Sequence, residues 1–198
     1  MKIALFGGTF DPIHNGHLAV AKEAVGRFHL DQILFIPSGQ PPHKNHGPQA
    51  TYEDRFRMVE LACRCDRRFE ASRLEDPAVL GDGKTYSIDT IEKARQNADS
   101  EDSLYFLIGR DAFDELSIWH RLEDVVREIE FIVATRPSTE PSAEPEGVAA
   151  LARYHQLDGI EIPTSATQLR AQMARGENID VSLPPEVGDY IRHHRLYR

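Results

Sequence analysis

The N-terminal segment constrains the fold of this chain most, because an apolar run, a glycine-rich turn and a helical pattern follow one another directly. Residues 3–6 have the length and apolar character of a buried parallel strand. From Leu18 to Phe28, apolar residues recur three and four positions apart, which is typical of an amphipathic helix. In open α/β sheets the loop between such a strand and helix lies at the edge where ligands bind.

The composition of this turn favours phosphate. Gly7 and Gly8 carry no Cβ, so the backbone can turn tightly and approach a ligand. The unpaired amides and the dipole at the start of the helix attract anions. His14 and His17 are three residues apart and can point the same way, each offering a ring N–H to one phosphate oxygen. We therefore predict a phosphate-binding loop here.

Two alternatives fit part of the same turn. A histidine pair at this spacing could bind zinc, although no further ligand nearby has metal-ligand spacing. A glycine-rich turn can also serve packing alone. The turn is neither a Walker A sequence nor a Gly-x-Gly-x-x-Gly fingerprint. Phosphate is favoured, and no metal held by protein ligands is predicted.

Length and charge narrow the class of protein. A chain of 198 residues fits a single domain, which we place at 1–198. The net charge of −9 argues against a nucleic-acid partner, because such surfaces are normally basic. No apolar run approaches the ~18 residues of a membrane span, and polar residues interrupt any signal-peptide core. We expect a cytoplasmic protein without a membrane partner; the sequence does not indicate its oligomeric state.

Strand and helix patterns alternate along the rest of the chain. Further strands are predicted at 33–36, 69–74, 104–108, 131–134 and 160–162. Helices are predicted after the caps Thr51 and Ser87, at 167–175 with Gly176 as the stop, and at 185–194. Residues 76–84 are expected to form an exposed loop, and 136–147 a mobile loop. This alternation predicts a doubly wound parallel α/β sheet with a small C-terminal helical part.

Two further sets of polar residues fall on the same edge of the predicted sheet. Lys44 lies among prolines after the second strand, where it would neutralise a polyphosphate or simply be solvated. Ser165, Thr167 and Arg170 open the helix after the last strand. One of these hydroxyls could serve only as an N-cap. Together with the free amides and the guanidinium, they make a second phosphate site.

The two phosphate motifs together resemble the nucleotidyltransferases marked by a His-x-Gly-His sequence, here His14 to His17. Within that group the chain is most similar to the bacterial nicotinate mononucleotide adenylyltransferase family. The resemblance runs nearly end to end, and further matches lie at 41–44, 83–90, 107–111, Trp119 and 183–197. One departure is Ala166, which stands where the family usually has a second serine before the arginine.

The resemblance implies the Rossmann-like nucleotidyltransferase fold. It also implies the transfer of AMP from ATP to nicotinate mononucleotide, giving deamido-NAD and pyrophosphate in NAD biosynthesis. It also implies Mg²⁺ bound mainly through the ATP phosphates. A sister enzyme acting on nicotinamide mononucleotide or phosphopantetheine, and a non-catalytic nucleotide sensor, remain the alternatives.

The residue roles that the resemblance implies fall into three groups. The catalytic residues are His14, His17, Lys44 and Arg170. The nucleotide-binding residues are Gly7, Gly8, Thr9, Phe10, Gly109, Ser165 and Thr167. The acceptor-binding residues are Thr85, Tyr86, Asp111 and Trp119. On the residues alone, Trp119 could equally be a core side chain and Asp111 a helix cap.

Overall fold

Six parallel strands form one sheet in the order β3-β2-β1-β4-β5-β6. The computed structural model describes residues 1–39, 47–81, 84–135, 146–160 and 164–198. The strands are β1 (Lys2–Gly8), β2 (Gln32–Pro37), β3 (Phe69–Ala71), β4 (Ser103–Gly109), β5 (Glu130–Ala134) and β6 (Tyr154–Leu157). The prediction of a parallel, doubly wound α/β sheet is confirmed.

Helices cover both faces of the sheet. They are α1 (Asn15–Phe28), α2 (Tyr52–Cys63), α3 (Pro77–Leu80), α4 (Ser87–Asn97), α5 (Arg110–Asp114), α6 (Leu122–Glu128), α7 (Ala166–Ala174) and α8 (Pro185–His194). Successive strand residues enter opposite cores. Ala4 belongs to the core that includes residues of α1, α2, α7 and α8, whereas Leu5 belongs to the core that includes residues of α4, α5 and α6. This is why the strands are apolar runs rather than alternating patterns.

The order of the strands places a crevice beside β1. This strand pairs with β2 on one side and with β4 on the other. The chain winds outward from β1 to β3, and then returns to β4 and winds outward in the opposite direction. The loops after β1 and β4 therefore diverge, and open α/β sheets bind ligands at such a switch point.

The position of the last strand was predicted wrongly. The structure places β6 at Tyr154–Leu157, and Ile160 is buried in irregular backbone, while 161–163 lie outside the described residues. β6 is an edge strand that pairs with β5, and only Leu157 among its residues is buried. An edge strand with three exposed side chains leaves no apolar run to detect.

The structure confirms some of the predicted helix caps and stops and contradicts others. Thr51 Oγ1 accepts the Asp54 N–H at 3.1 Å, as predicted, and Gly176 follows α7 with a φ of +71°. Ser87 is not a cap: it is the first residue of α4, and Tyr86 is the N-cap with no side-chain bond. The expected loop at 76–84 contains α3, which Asp76 caps through the Ala78 N–H.

Most of the loop predicted at 136–147 lies outside the described residues, but Gly147 begins a 3₁₀ helix that extends to Leu151. Among the described residues, no helix combines the length and the apolar character needed to cross a membrane.

Candidate active site

Two cavities open at the switch point, on either side of the turn after β1. The first, of about 290 Å³, is lined by Phe6, Gly7, Gly8, Phe10, His14, Gly16, His17, Val20, Ile108, Gly109, Arg110, Asp111, Ala134, Thr164, Ser165 and Ala166. The second, of about 280 Å³, is lined by Gly7, Gly8, Thr9, Ser38, Glu75, Thr85, Tyr86, Ser87, Phe106, Ile108, Ala112, Glu115, Trp119 and His120. The glycine turn is common to both cavities.

Gly8 is required by the shape of this turn. A Cβ at Gly8 would lie 2.9 Å from the Phe10 ring, closer than a real Cβ contact allows. Phe10 itself has a φ of +48°, and its ring is buried against those of Phe6 and Phe35. The aromatic packing therefore fixes the backbone of the turn, which forms part of the wall of both cavities.

The two histidines lie together at the start of α1. His14 is the N-cap, and its backbone N–H donates to Nδ1 of His17 at 3.2 Å. Because Nδ1 accepts a hydrogen bond, the neutral His17 ring carries its proton on Nε2. The two rings stack with centroids 3.8 Å apart, and the Phe10 ring meets His17 edge-on at 5.0 Å. Both histidines line the first cavity.

A zinc site at these histidines would need at least one further protein ligand close by. Within the described ranges, no group of three or more His, Cys, Asp or Glu side chains is arranged to hold a metal ion.

Asp11 organises the loop before these histidines, a role that the sequence did not indicate. Its buried carboxylate accepts the backbone N–H groups of Gln49 and Ala50 at 2.8 and 3.1 Å and the Tyr197 hydroxyl at 2.7 Å. Its backbone carbonyl accepts Nη1 of Arg170 at 2.7 Å. These partners lie 38 to 186 residues away in the chain, so no local pattern could reveal them.

A second buried arginine supports the same loop. Arg55 on α2 is almost fully buried, and its Nη1 donates to the Thr9 carbonyl at 2.8 Å. Burial lowers the pKa of Arg55, and the charge of Asp11 opposes that shift. The sequence did not single out Arg55, because a charged residue on an amphipathic helix is normally exposed.

The late motif begins a second helix at the first cavity. Ser165 is the N-cap of α7 and accepts the Gln168 N–H at 3.2 Å, and both Ser165 and Ala166 line the cavity. Arg170 donates to Thr167 Oγ1 at 3.3 Å as well as to Asp11. Thr167 and Arg170 belong to the lining of neither cavity as formed by the described residues.

The N-termini of α1 and α7 therefore face one space. The N-caps of both helices line the first cavity, so the positive ends of two helix dipoles converge there. Such an arrangement binds anionic groups.

All but one of the residues expected to bind the acceptor line the second cavity. Thr85, Tyr86 and Trp119 all line it. Asp111 lies in the first cavity instead, beside Gly109 at the end of β4. Position along the chain could not separate the two sides, because the loop after β4 borders both cavities.

Trp119 fits both of its sequence interpretations. It is half-buried, with its ring edge-on to Phe106 and Phe131 at 5.9 and 6.3 Å, and it also lines the second cavity. Nearby, the Tyr86 and His120 rings lie 4.4 Å apart. Sequence reasoning did not identify His120, although it adjoins Trp119.

Glu75, which sequence reasoning did not identify, lines the second cavity and links neighbouring segments by hydrogen bonds. Its Oε1 accepts the Thr90 hydroxyl at 2.8 Å, and its Oε2 accepts the Gly39 N–H at 3.3 Å. Burial raises the pKa of Glu75, and these hydrogen bonds act in the opposite direction. The backbone fits closely here, since a Cβ at Gly39 would lie 2.3 Å from the Glu75 carbonyl oxygen. Lys44 lies outside the described residues.

Comparison with known proteins agrees with this geometry. The sequence profile of the cytidylyltransferase-like family matches residues 5–172. A Solibacter usitatus protein named "Probable nicotinate-nucleotide adenylyltransferase" is 50% identical over 197 residues, covering 100% of both chains. A Bacillus pumilus protein of the same name is 37% identical over 198 residues, covering 99% of this chain and 98% of its own length.

The fold is shared with more distant proteins. A Plasmodium falciparum nicotinic acid mononucleotide adenylyltransferase, solved in complex with NaAD, superposes with a TM-score of 0.79 at 19% identity, covering 99% of this chain and 97% of that one. The chain therefore belongs to the cytidylyltransferase-like family, and within it to the nicotinate-nucleotide adenylyltransferases.

Proposed function

We propose that this enzyme transfers AMP from ATP to nicotinate mononucleotide, giving deamido-NAD and pyrophosphate. The observation that carries the proposal is the pair of cavities sharing the Gly7–Gly8 turn. One cavity has the histidines and two helix N-termini suited to the phosphates of ATP. The other has the aromatic and backbone groups suited to a pyridine ring.

The reaction depends on how the substrates are positioned and needs no protein nucleophile or base. The 5′-phosphate of the acceptor is already anionic near neutral pH, so it attacks the α-phosphorus in line without a protein base, and pyrophosphate leaves. The protein then contributes orientation and stabilisation of the charge that develops on the phosphate oxygens. In this proposal His14 and the Nε2–H of His17 donate to oxygens of the α-phosphate.

The departing pyrophosphate requires cations. We assign this role to Arg170 and Lys44. Two bonds of Arg170, to Asp11 and Thr167, orient its guanidinium, and a guanidinium has five N–H donors in all. Mg²⁺ enters as part of the substrate, bound mainly to the ATP phosphates with water completing its shell.

The acceptor side accounts for a preference for the acid. Tyr86 and Ser87 at the N-terminus of α4 line the second cavity, and a helix N-terminus stabilises a carboxylate. The Trp119 ring beside them offers a face for the pyridine. A neutral amide would gain less from the helix dipole, so we assign nicotinate mononucleotide rather than nicotinamide mononucleotide.

An assay across acceptors tests the proposal. Purified protein is mixed with Mg-ATP and, in turn, nicotinate mononucleotide, nicotinamide mononucleotide and phosphopantetheine, and pyrophosphate release is followed. We expect the fastest release with nicotinate mononucleotide, and deamido-NAD as the product. Faster release with either other acceptor would assign a sister activity. Binding of ATP without release for any acceptor would overturn the proposal in favour of a nucleotide sensor.

A further inference from the structure

We infer that Tyr197 is a positioning residue for the proposed reaction, acting through Asp11 on Arg170 and on the loop before the histidines. The inference rests on the proposed function. Tyr197 follows α8 and lies outside both cavities as the described residues form them. Its side chain is buried with the hydroxyl on Asp11, so we assign it a role through that contact and no contact with a substrate.

The hydroxyl of Tyr197 is built into the interior. It donates to Asp11 Oδ1 at 2.7 Å, and both residues are buried, with exposed fractions of 8% and 3%. Burial and the adjacent Asp11 carboxylate raise the pKa of Tyr197 above its usual range. The hydroxyl thus stays protonated and donates at any pH at which the enzyme is assayed.

Asp11 connects this hydroxyl to three parts of the site. Its carboxylate also accepts the N–H groups of Gln49 and Ala50, which follow the segment that carries Lys44. Its carbonyl accepts Nη1 of Arg170, and it lies three residues before His14. A shift of Asp11 would therefore displace groups that the proposal places on both ends of the triphosphate.

A substitution can separate the contribution of the Tyr197 hydroxyl from that of its ring. The Tyr197 ring packs in the core with α1, α2 and α8, and Phe at this position keeps that packing. Tyr197→Phe removes one of the donors to the buried Asp11 carboxylate. Because the site is buried, water cannot readily replace that donor. The loop is expected to shift to recover a donor, at the expense of the position of Arg170.

A second tyrosine supplies a matched control. Tyr190 on α8 donates to Asp54 Oδ1 on α2 at 3.0 Å. It lines neither cavity within the described ranges. Tyr190→Phe therefore removes the same chemical group, also from a tyrosine–aspartate bond. We expect Y197F to lower kcat about tenfold with less than a twofold change in KM for nicotinate mononucleotide. We expect Y190F to retain kcat within about twofold.

A double-mutant cycle separates positioning from general stability. If Tyr197 acts through Asp11 on Arg170, Y197F should slow an Arg170→Ala enzyme less than it slows the wild type, and the remaining loss comes from the loop before the histidines. Asp11→Asn gives a second route: it should lower kcat to a similar degree, and Y197F should add little to it. This variant keeps the test valid if Y197F melts below the assay temperature.

Three results would overturn the inference. They are normal kcat in folded Y197F, an equal loss in Y190F, and full multiplication of the Y197F and R170A effects. The acceptor assay on the wild type comes first. A failure of the proposed function is therefore seen in the wild type alone, whereas a failure of this inference is seen only in the ratio of variant to wild type.

Discussion

His17 shows how one backbone contact sets the chemical state of a side chain. The His14 N–H occupies Nδ1 of His17, which leaves the proton of the neutral ring on Nε2. Stacking on His14 and the edge-on contact with Phe10 fix the plane of the ring. The imidazole is thus oriented before any substrate binds, which is how preorganised donors lower a barrier.

Replacing His17 by Ala should leave the fold intact and lower turnover by at least ~10²-fold, because a donor to the transition state is lost. The measurement is pyrophosphate release with nicotinate mononucleotide, alongside a thermal melt. His193→Ala is the control, since this histidine lies exposed on α8. Near-normal turnover in folded H17A would remove His17 from the proposed mechanism.

Glu75 links the stability of the enzyme to pH. Burial raises its carboxyl pKa in the folded state above the usual 4.5. A raised pKa means that the protonated form folds more favourably. Its contribution to stability is therefore complete below pH 4.5 and is lost as the pH rises through the folded-state pKa.

Glu75→Gln should remove this pH dependence. The amide can accept the Gly39 N–H and donate to the Thr90 hydroxyl, which can turn toward the Tyr86 carbonyl at 3.4 Å. We expect the melting temperature of E75Q, relative to the wild type, to be higher at pH 8 than at pH 5. Melts at the two pH values test this, and a difference independent of pH would contradict it.

Whole elements were predictable where burial or capping leaves a local pattern. The strands inside the sheet are continuous apolar runs, and α8 was predicted at its observed bounds because its apolar spacing is regular. β6 was missed because an edge strand is mostly polar. The start of α4 was misassigned because Ser87 looks like a cap, whereas Ser87 is already the first helical residue and Tyr86 is the N-cap.

The two predicted caps can be compared by experiment. Thr51→Ala removes an acceptor from the first turn of α2 and should lower the free energy of unfolding by about 1 kcal/mol. Ser87→Ala removes no cap and should change it by less than about 0.5 kcal/mol. Urea unfolding of both variants provides the measurement. Equal losses would mean that Ser87 stabilises α4 after all.

At the scale of the whole molecule, the sheet brings distant residues to one crevice. The sequence indicated which loops would meet, because parallel strands place their carboxyl ends along one edge. It could not indicate Asp11, Arg55 or Tyr197, whose contacts depend on three-dimensional packing between segments far apart in the chain. It also could not separate the two cavities, since both share the glycine turn and Ile108.

The division into two cavities predicts separate kinetic effects. As the described residues form the cavities, Trp119 lines the second and not the first. Trp119→Leu should therefore raise KM for nicotinate mononucleotide at least about fivefold, because base–aromatic stacking is worth ~1–3 kcal/mol. KM for ATP should change by less than about twofold. Asp111 lines the first cavity and not the second in the part of the chain that the structure describes. If its carboxylate accepts from the ribose of ATP, Asp111→Asn should raise KM for ATP and change KM for nicotinate mononucleotide by less than about twofold. Steady-state kinetics with each substrate varied in turn will measure both. An effect of D111N on the acceptor alone would return Asp111 to the acceptor side, as the sequence first suggested, and would mean that the bound substrates cross the boundary between the two cavities.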